Sequence, residues 1–141
     1  MQAADYLQVG MAEEASFEVE AQHTAAQVGS GPRLSQDGSL EVLATPSLIA
    51  FMERLAHHML EKRLPVSLSS VGSRVQVNHL APTPVGGRVR VQAEISALEG
   101  RRVTLVLHAW DDHELVGEGT HQRVVIEREG FARRVQAKRS G

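Results

Sequence analysis

Thr45-Pro46-Ser47-Leu48-Ile49-Ala50-Phe51-Met52-Glu53-Arg54-Leu55-Ala56-His57-His58-Met59-Leu60-Glu61, followed beyond Pro65 by Val71-Gly72-Ser73-Arg74-Val75-Gln76-Val77-Asn78-His79, is the stretch that decides the fold. In its first half Leu48, Ile49, Met52, Leu55, Ala56 and Met59 recur at three- and four-residue spacings, the mark of a helix with one buried stripe. Thr45 followed by Pro46 predicts the start: a threonine oxygen can cap the first free amides, and proline at the first helical position loses no useful donor. In the second half the period drops to two. Val71, Ser73, Val75, Val77 and His79 are expected on one face of a strand, with Arg74, Gln76 and Asn78 on the other, until Pro82 and Pro84 stop the pairing. A helix followed directly by an alternating strand is the nucleus from which the rest is read.

Downstream, Val89, Val91, Ala93 and Ile95 alternate against Arg88, Arg90, Gln92 and Glu94. Glu99-Gly100 marks a tight turn, and Val103, Leu105, Leu107 and Ala109 alternate again, which predicts a hairpin with one apolar face. A last strand is expected from about Leu115 to Ile126, its Gly117 and Gly119 signalling a bulge or a close backbone approach. Upstream, Ser16 to Glu20 alternates, a weaker alternation runs from Thr24 to Val28, and Gly29-Ser30-Gly31-Pro32 breaks the pattern. Ser35 to Ser39 reads as a polar surface loop. Short strands, one long helix and a run of hairpin-connected strands describe an α+β domain, an antiparallel sheet covered on one face by a single central helix. The expected organisation is an N-terminal segment at 1–14, the domain at 15–132, and a mobile basic tail at 133–141 holding Arg133, Arg134, Lys138 and Arg139.

Composition narrows the function classes. The 141 residues fit one domain that buries roughly 68–70% of its unfolded surface without metal or disulfide support. A net charge of −2 with 23% charged residues fits an ordinary globular chain and argues against a general nucleic-acid binder. There are no cysteines, which excludes thiol catalysis and cysteine-ligated metals and permits a reducing compartment, so the cytoplasm is expected. Met1 to Gly10 lacks a basic and apolar leader, and no run approaches the apolar length of a membrane span, so neither a targeting segment nor membrane association is expected.

Three polar residues stand out inside these core-like segments. Glu53, with Ile49 and Ala50 before it and Ala56 and His57 after it, lies on the border of the apolar stripe. Such a carboxylate is placed for general-base or nucleophilic work, although border glutamates commonly reach solvent over packed stems. His79, pointing with the valines, turns an imidazole toward the helix, where a satisfied core histidine is the commoner case. Capping alone explains Thr45, yet a helix N-terminus also stabilises a developing oxyanion. A hydroxyl, a carboxylate and an imidazole are the parts of an acyl-transfer or hydrolytic site. His57 and His58 point about 100° apart and make no metal pair, and His23, His108, His113 and His121 show no ligand spacing. No metal or cofactor is expected.

The ordered set Val42-Leu43-Ala44-Thr45-Pro46, Glu53 eight residues on, Ser70-Val71-Gly72, His79-Leu80-Ala81-Pro82-Thr83-Pro84 and Gly117-Glu118-Gly119-Thr120-His121-Gln122-Arg123 resembles the hotdog-fold thioesterases related to fluoroacetyl-CoA thioesterase. The resemblance spans about residues 15 to 132. It implies a hotdog protomer with its strands wrapped around the helix, paired into a homodimer with an acyl-CoA site at the subunit interface. It implies hydrolysis of an acyl-CoA to a carboxylic acid and free CoA. Thr45, Glu53 and His79 match the family's catalytic threonine, glutamate and histidine, and Gly72 a glycine beside the thioester. The fluoroacetyl-specific member carries phenylalanines just before its threonine, whereas this chain reads Gln36-Asp37-Gly38-Ser39, so fluoroacetyl specificity is not carried over. CoA enters as substrate; Arg74, Arg88, Arg90, Arg101 and Arg102 are candidates for its phosphates. Two other readings fit the residues: an acyl-thioester hydratase or dehydratase, and a non-catalytic module that binds an acyl-CoA or small ligand.

Overall fold

A computed structural model describes residues 1–28 and 40–140. The loop expected at Ser35 to Ser39, the glycine-rich break and the polar stretch Gln36 to Ser39 lie outside the described residues. The elements run β1 (Ala12–Glu18), α1 (Thr45–Glu61), β2 (Leu68–His79), β3 (Arg88–Glu99), β4 (Arg102–Trp110), β5 (Leu115–Glu127) and α2 (Arg128–Ser140), with short 3-10 turns at Ala3–Asp5 and Ala21–His23. The five strands form one antiparallel sheet in the order β1-β3-β4-β5-β2. Gly100, at φ 59, makes the tight β3–β4 connection, with Glu99 opposite Arg102.

The helix stripe is buried as its spacing predicts except at Ile49, which is only partly buried. Leu48, Met52, Leu55, Ala56, Met59 and Leu60 are buried against the inward residues of the hairpin, among them Val91, Ile95, Leu105 and Leu107. Removing this apolar area from water, at about 25 cal/mol per Å², is the main force holding helix to sheet. Gly117 belongs to the same interface, since a Cβ there would stand 2.8 Å from Leu48 Cδ2. At Gly119 a Cβ would run into the Gln76 carbonyl and the Val77 backbone, the close approach its sequence position signals.

Three expectations need correction. First, β2 does not alternate uniformly from Val71 to His79. Its pairing with β5 shifts between Gly72 and Arg74, leaving Ser73 as an extra residue. The bulge switches faces, so Ser70 and Gly72 lie on the inner side with Val75, Val77 and His79, while Val71 and Ser73 do not. Second, the chain before residue 15 is built into the fold: Ala3 and Leu7 are buried, Ala3 N–H bonds the Gly100 carbonyl at 2.7 Å, and β1 starts at Ala12. Third, the basic end expected to be mobile is helical as α2, exposed from Ala132 to Arg139. It lacks the apolar stripe that signals a helix, but Glu129 sits in its first turn and Lys138 and Arg139 in its last, signs that suit the helix dipole.

Candidate active site

The corrected start of α1 frees the first functional side chain. The residue at the cap position is Ala44, in extended conformation, with no side-chain cap hydrogen bond, and Thr45 is the first helical residue. The Thr45 hydroxyl is therefore not spent on the helix amides. Its Oγ1 lies 2.8 Å from Nδ1 of His79, brought there by the end of β2. The other ring nitrogen, Nε2, is buried with no partner among the described residues. Burial pushes the His79 pKa below its ordinary 6.5, and the backbone of Ala81 pulls it only partly back. Thr45 and His79 share the wall of a largely apolar cleft of about 470 Å³ with Val42, Leu43, Pro46 and Pro82.

Glu53 is elsewhere. Eight residues along α1 correspond to roughly 12 Å of helix rise, and its side chain faces a second cavity of about 580 Å³ lined also by His57, Glu61 and Arg123. Gly72 belongs to this half: a Cβ there would stand 3.3 Å from His121 Cε1, 3.5 Å from Arg123 Nη1 and 4.0 Å from Glu53 Oε2. One chain thus brings together Thr45 with His79 and Glu53 with Gly72, but not the two pairs with each other.

Arg123 is the residue that the sequence reading left without a role. It is only 5% exposed, carried on the inner face of β5. Its Nε donates to Ser70 Oγ at 2.9 Å and its Nη2 to the Ser70 carbonyl at 3.0 Å; its Nη1 lies 3.2 Å from His121 Nε2 and its Nη2 3.2 Å from His57 Nδ1. Burial lowers its pKa, and the carboxylate of Glu53 opposes that shift. His121 is 1% exposed and is lowered first by burial; its Nδ1 lies 2.7 Å from the Arg74 carbonyl, which must therefore receive the ring proton. Its Nε2 is then left to accept from Arg123. A buried guanidinium is costly unless its donors are met, and here two imidazoles and a serine meet them beside a carboxylate. The signal available in the sequence was the period of two along Gly117, Gly119, His121, Arg123 and Val125, which puts a charge on an inward-facing row. Among the described residues, no group of three or more His, Cys, Asp or Glu could hold a metal, and no helix is long and apolar enough to cross a membrane.

The sequence profile of the fluoroacetyl-CoA-specific thioesterase family, FlK, matches residues 19–129. The chain belongs to this family. It has the hotdog fold and is a thioester hydrolase acting on an acyl-CoA. A fluoroacetyl-CoA thioesterase from Streptantibioticus cattleyicolor is 37% identical over 98 residues, 70% of each chain. A crystal structure of a mutant of the fluoroacetyl-CoA-specific enzyme in complex with fluoroacetate and CoA superposes with a TM-score of 0.81 at 32% identity, over 89% of this chain and 99% of that one. A hot-dog-like protein from Thermanaerovibrio acidaminovorans gives a TM-score of 0.86 at 28% identity, over 98% and 97%.

Proposed function

We propose that this thioesterase hydrolyses its acyl-CoA at a site shared between two copies of the chain, with Thr45, Glu53 and His79 as the reacting groups and Gly72 beside the thioester. The observation that carries the reading is the Thr45–His79 pair: a hydroxyl released from capping and set 2.8 Å from an imidazole whose other nitrogen is buried and has no partner among the described residues. Thr45 Oγ1 accepts the Nδ1–H of His79 and fixes the tautomer that leaves a lone pair on Nε2. Glu53 orients a water against the thioester carbonyl. As the water oxygen adds to the carbonyl carbon, Nε2 takes its proton; the C–S bond then breaks and the imidazolium returns that proton to the CoA sulfur. Carboxylic acid and free CoA leave, and the neutral imidazole is restored.

The way β2 carries the site supports a homodimer. β2 is a sheet edge, paired among the described residues with β5 alone, and it holds Gly72 near one end of its functional stretch and His79 at the other. A long free edge is a template for pairing. Two copies joined antiparallel through β2 would bring the His79 end of one strand toward Gly72 of the partner subunit, and thereby unite the Thr45–His79 half with the Glu53–Gly72 half. A chain without cysteine suits action in the cytoplasm.

The direct test follows free thiol on a panel of short, branched and aromatic acyl-CoAs. Release with at least one member, and its loss in Glu53→Gln, is expected. No release with any member, or full activity in that variant, would sink the reading.

A further inference from the structure

His57 is the polar residue of the Glu53 cavity that the mechanism above does not use. It stands one helical turn beyond Glu53 on α1, with nearly half of its side chain exposed at 46%. Its two ring edges face different things. Nδ1 turns inward to Arg123 Nη2 at 3.2 Å, and Nε2 turns outward toward Glu61 Oε2 at 3.8 Å. Glu61 is itself held from two sides, by Ser69 Oγ at 2.8 Å and by the guanidinium of Arg128 at the start of α2. A guanidinium has only donors, so the contact between Arg123 and His57 is a hydrogen bond only if Nδ1 carries no proton. The same logic holds on the other side of Arg123, where His121 has already given its Nδ1 proton to the Arg74 carbonyl. Two imidazole nitrogens, one from the helix and one from the sheet, thus face the two ends of one guanidinium.

We propose that His57 is a positioning residue of the hydrolytic site: its Nδ1 accepts an N–H of Arg123 and fixes the guanidinium beside Glu53 and the notch left by Gly72. The proposal rests on the reading of Glu53 as a reacting group. Protonation of His57 replaces the acceptor with a donor facing a cation, so the grip on Arg123 opens and its guanidinium is free to turn away from the notch. The groups facing His57 set how readily this happens. Arg123 from β5 and Arg128 from α2 disfavour the charged ring, as does His58 on α1. Against them stands a hydrogen bond to the main chain of Ser70 on β2, while Glu61 Oε2 faces Nε2 at 3.8 Å. Burial and the two arginines prevail, and the ring is held below its ordinary pKa of 6.5.

Two substitutions separate position from bulk. His57→Leu removes the acceptor, whereas in His57→Asn the amide oxygen takes the place of Nδ1. With the panel acyl-CoA that the wild type hydrolyses fastest, His57→Leu should lose roughly tenfold in kcat with KM within about twofold, since a donor of a buried cation is left unpaired. His57→Asn should recover to within about threefold and flatten the part of the acid limb that His57 contributes. Nitrogen-15 shifts of the wild-type imidazoles give a readout independent of turnover and of the variants' folding: His57 should be the tautomer protonated on Nε2 near neutral pH. Undiminished kcat and an unchanged pH profile in His57→Leu, equal losses in Leu and Asn, or a wild-type ring protonated on Nδ1 would each overturn the proposal. Absence of thiol release from the whole panel would instead defeat the hydrolytic reading, and the tautomer would still decide the contact.

Discussion

Thr45 Oγ1 is bonded to Nδ1 of His79 across the gap between a helix start and a strand end, and not to the amides of its own helix. This separates catalysis from stability at position 45. Thr45→Ala loses no cap, and alanine is the better helix former, so unfolding free energy should stay within about 0.5 kcal/mol of wild type. Activity should fall roughly 100-fold as the His79 tautomer is released, and Thr45→Ser should retain most of it. Urea unfolding and thiol release on the same preparations check both halves. A stability loss near that of a lost cap, about 1 kcal/mol, with unchanged turnover would reverse the assignment.

The two glycines of β5 should respond very differently to a methyl group. At Gly117 the obstacles are the ends of Leu48 and Met52, at 2.8 and 3.4 Å, which can shift by rotamer changes. Gly117→Ala should therefore cost about 1–3 kcal/mol. At Gly119 the obstacle is the backbone of Gln76 and Val77, which cannot give without breaking the β2–β5 ladder. Gly119→Ala should be the more destabilising of the two, and equal melting temperatures would show that the strands separate freely there.

These positions also mark what the sequence made legible. Helix period and hairpin alternation rest on burial, which leaves a regular trace, so α1 and the β3–β4 hairpin are read directly from residue spacing. The role of Thr45 is not legible in the sequence, because a threonine oxygen has two available uses and residue type does not say which. The bulge at Ser73 adds one residue with no compositional signature, so the face that Gly72 takes follows only from the pairing with β5. The residue type of Arg123 gives no sign of its burial, because arginines on strands usually point to solvent. Its burial depends on Ser70 and His57, both far away in the chain, together with His121 two residues before it. Likewise α2 owes its place to main-chain and side-chain bonds from Arg128 to Ser67 and Val66, not to an apolar stripe.

Acid should unfold this protein earlier than its carboxylates alone require. Burial is the first cause holding His57, His79 and His121 below the ordinary 6.5. Below that value the unfolded chain binds protons that the folded chain refuses, so stability is full above about pH 6.5 and declines as pH falls from there toward the folded values. Glu13 adds to the loss at lower pH. Burial alone would raise its pKa, but hydrogen bonds from Lys62 and Arg63 outweigh this and hold it below 4.5, so its contribution is present above 4.5 and disappears as pH falls through the folded value. Melting temperature should already drop between pH 7 and pH 5.5, and less so in a His121→Gln variant. A flat profile over that window would contradict the shifts.

Activity has its own acid limit, set by the ring that must take a proton. His79 works as a base only when neutral, and its lowered pKa keeps it neutral into mildly acidic solution. The acid limb of kcat/KM, which reports the free enzyme, should fall below pH 6.5. A limb centred above 6.5 would mean that His79 is stabilised as a cation and cannot be the base.

The shared site makes the sharpest prediction, because complementation distinguishes it from a site built within one chain. Glu53→Gln and His79→Ala homodimers should each be inactive. In a mixed dimer, one composite site combines the intact His79 of the first subunit with the intact Glu53 of the second, while the other site lacks both. Random reassortment of equal amounts makes half the dimers mixed, with one of two sites competent, so activity should return to about a quarter of wild type. A site confined to one chain gives none, since every subunit then lacks one of its own groups. The roughly 12 Å of helix between Thr45 and Glu53, and the free edge of β2 carrying both halves, favour recovery.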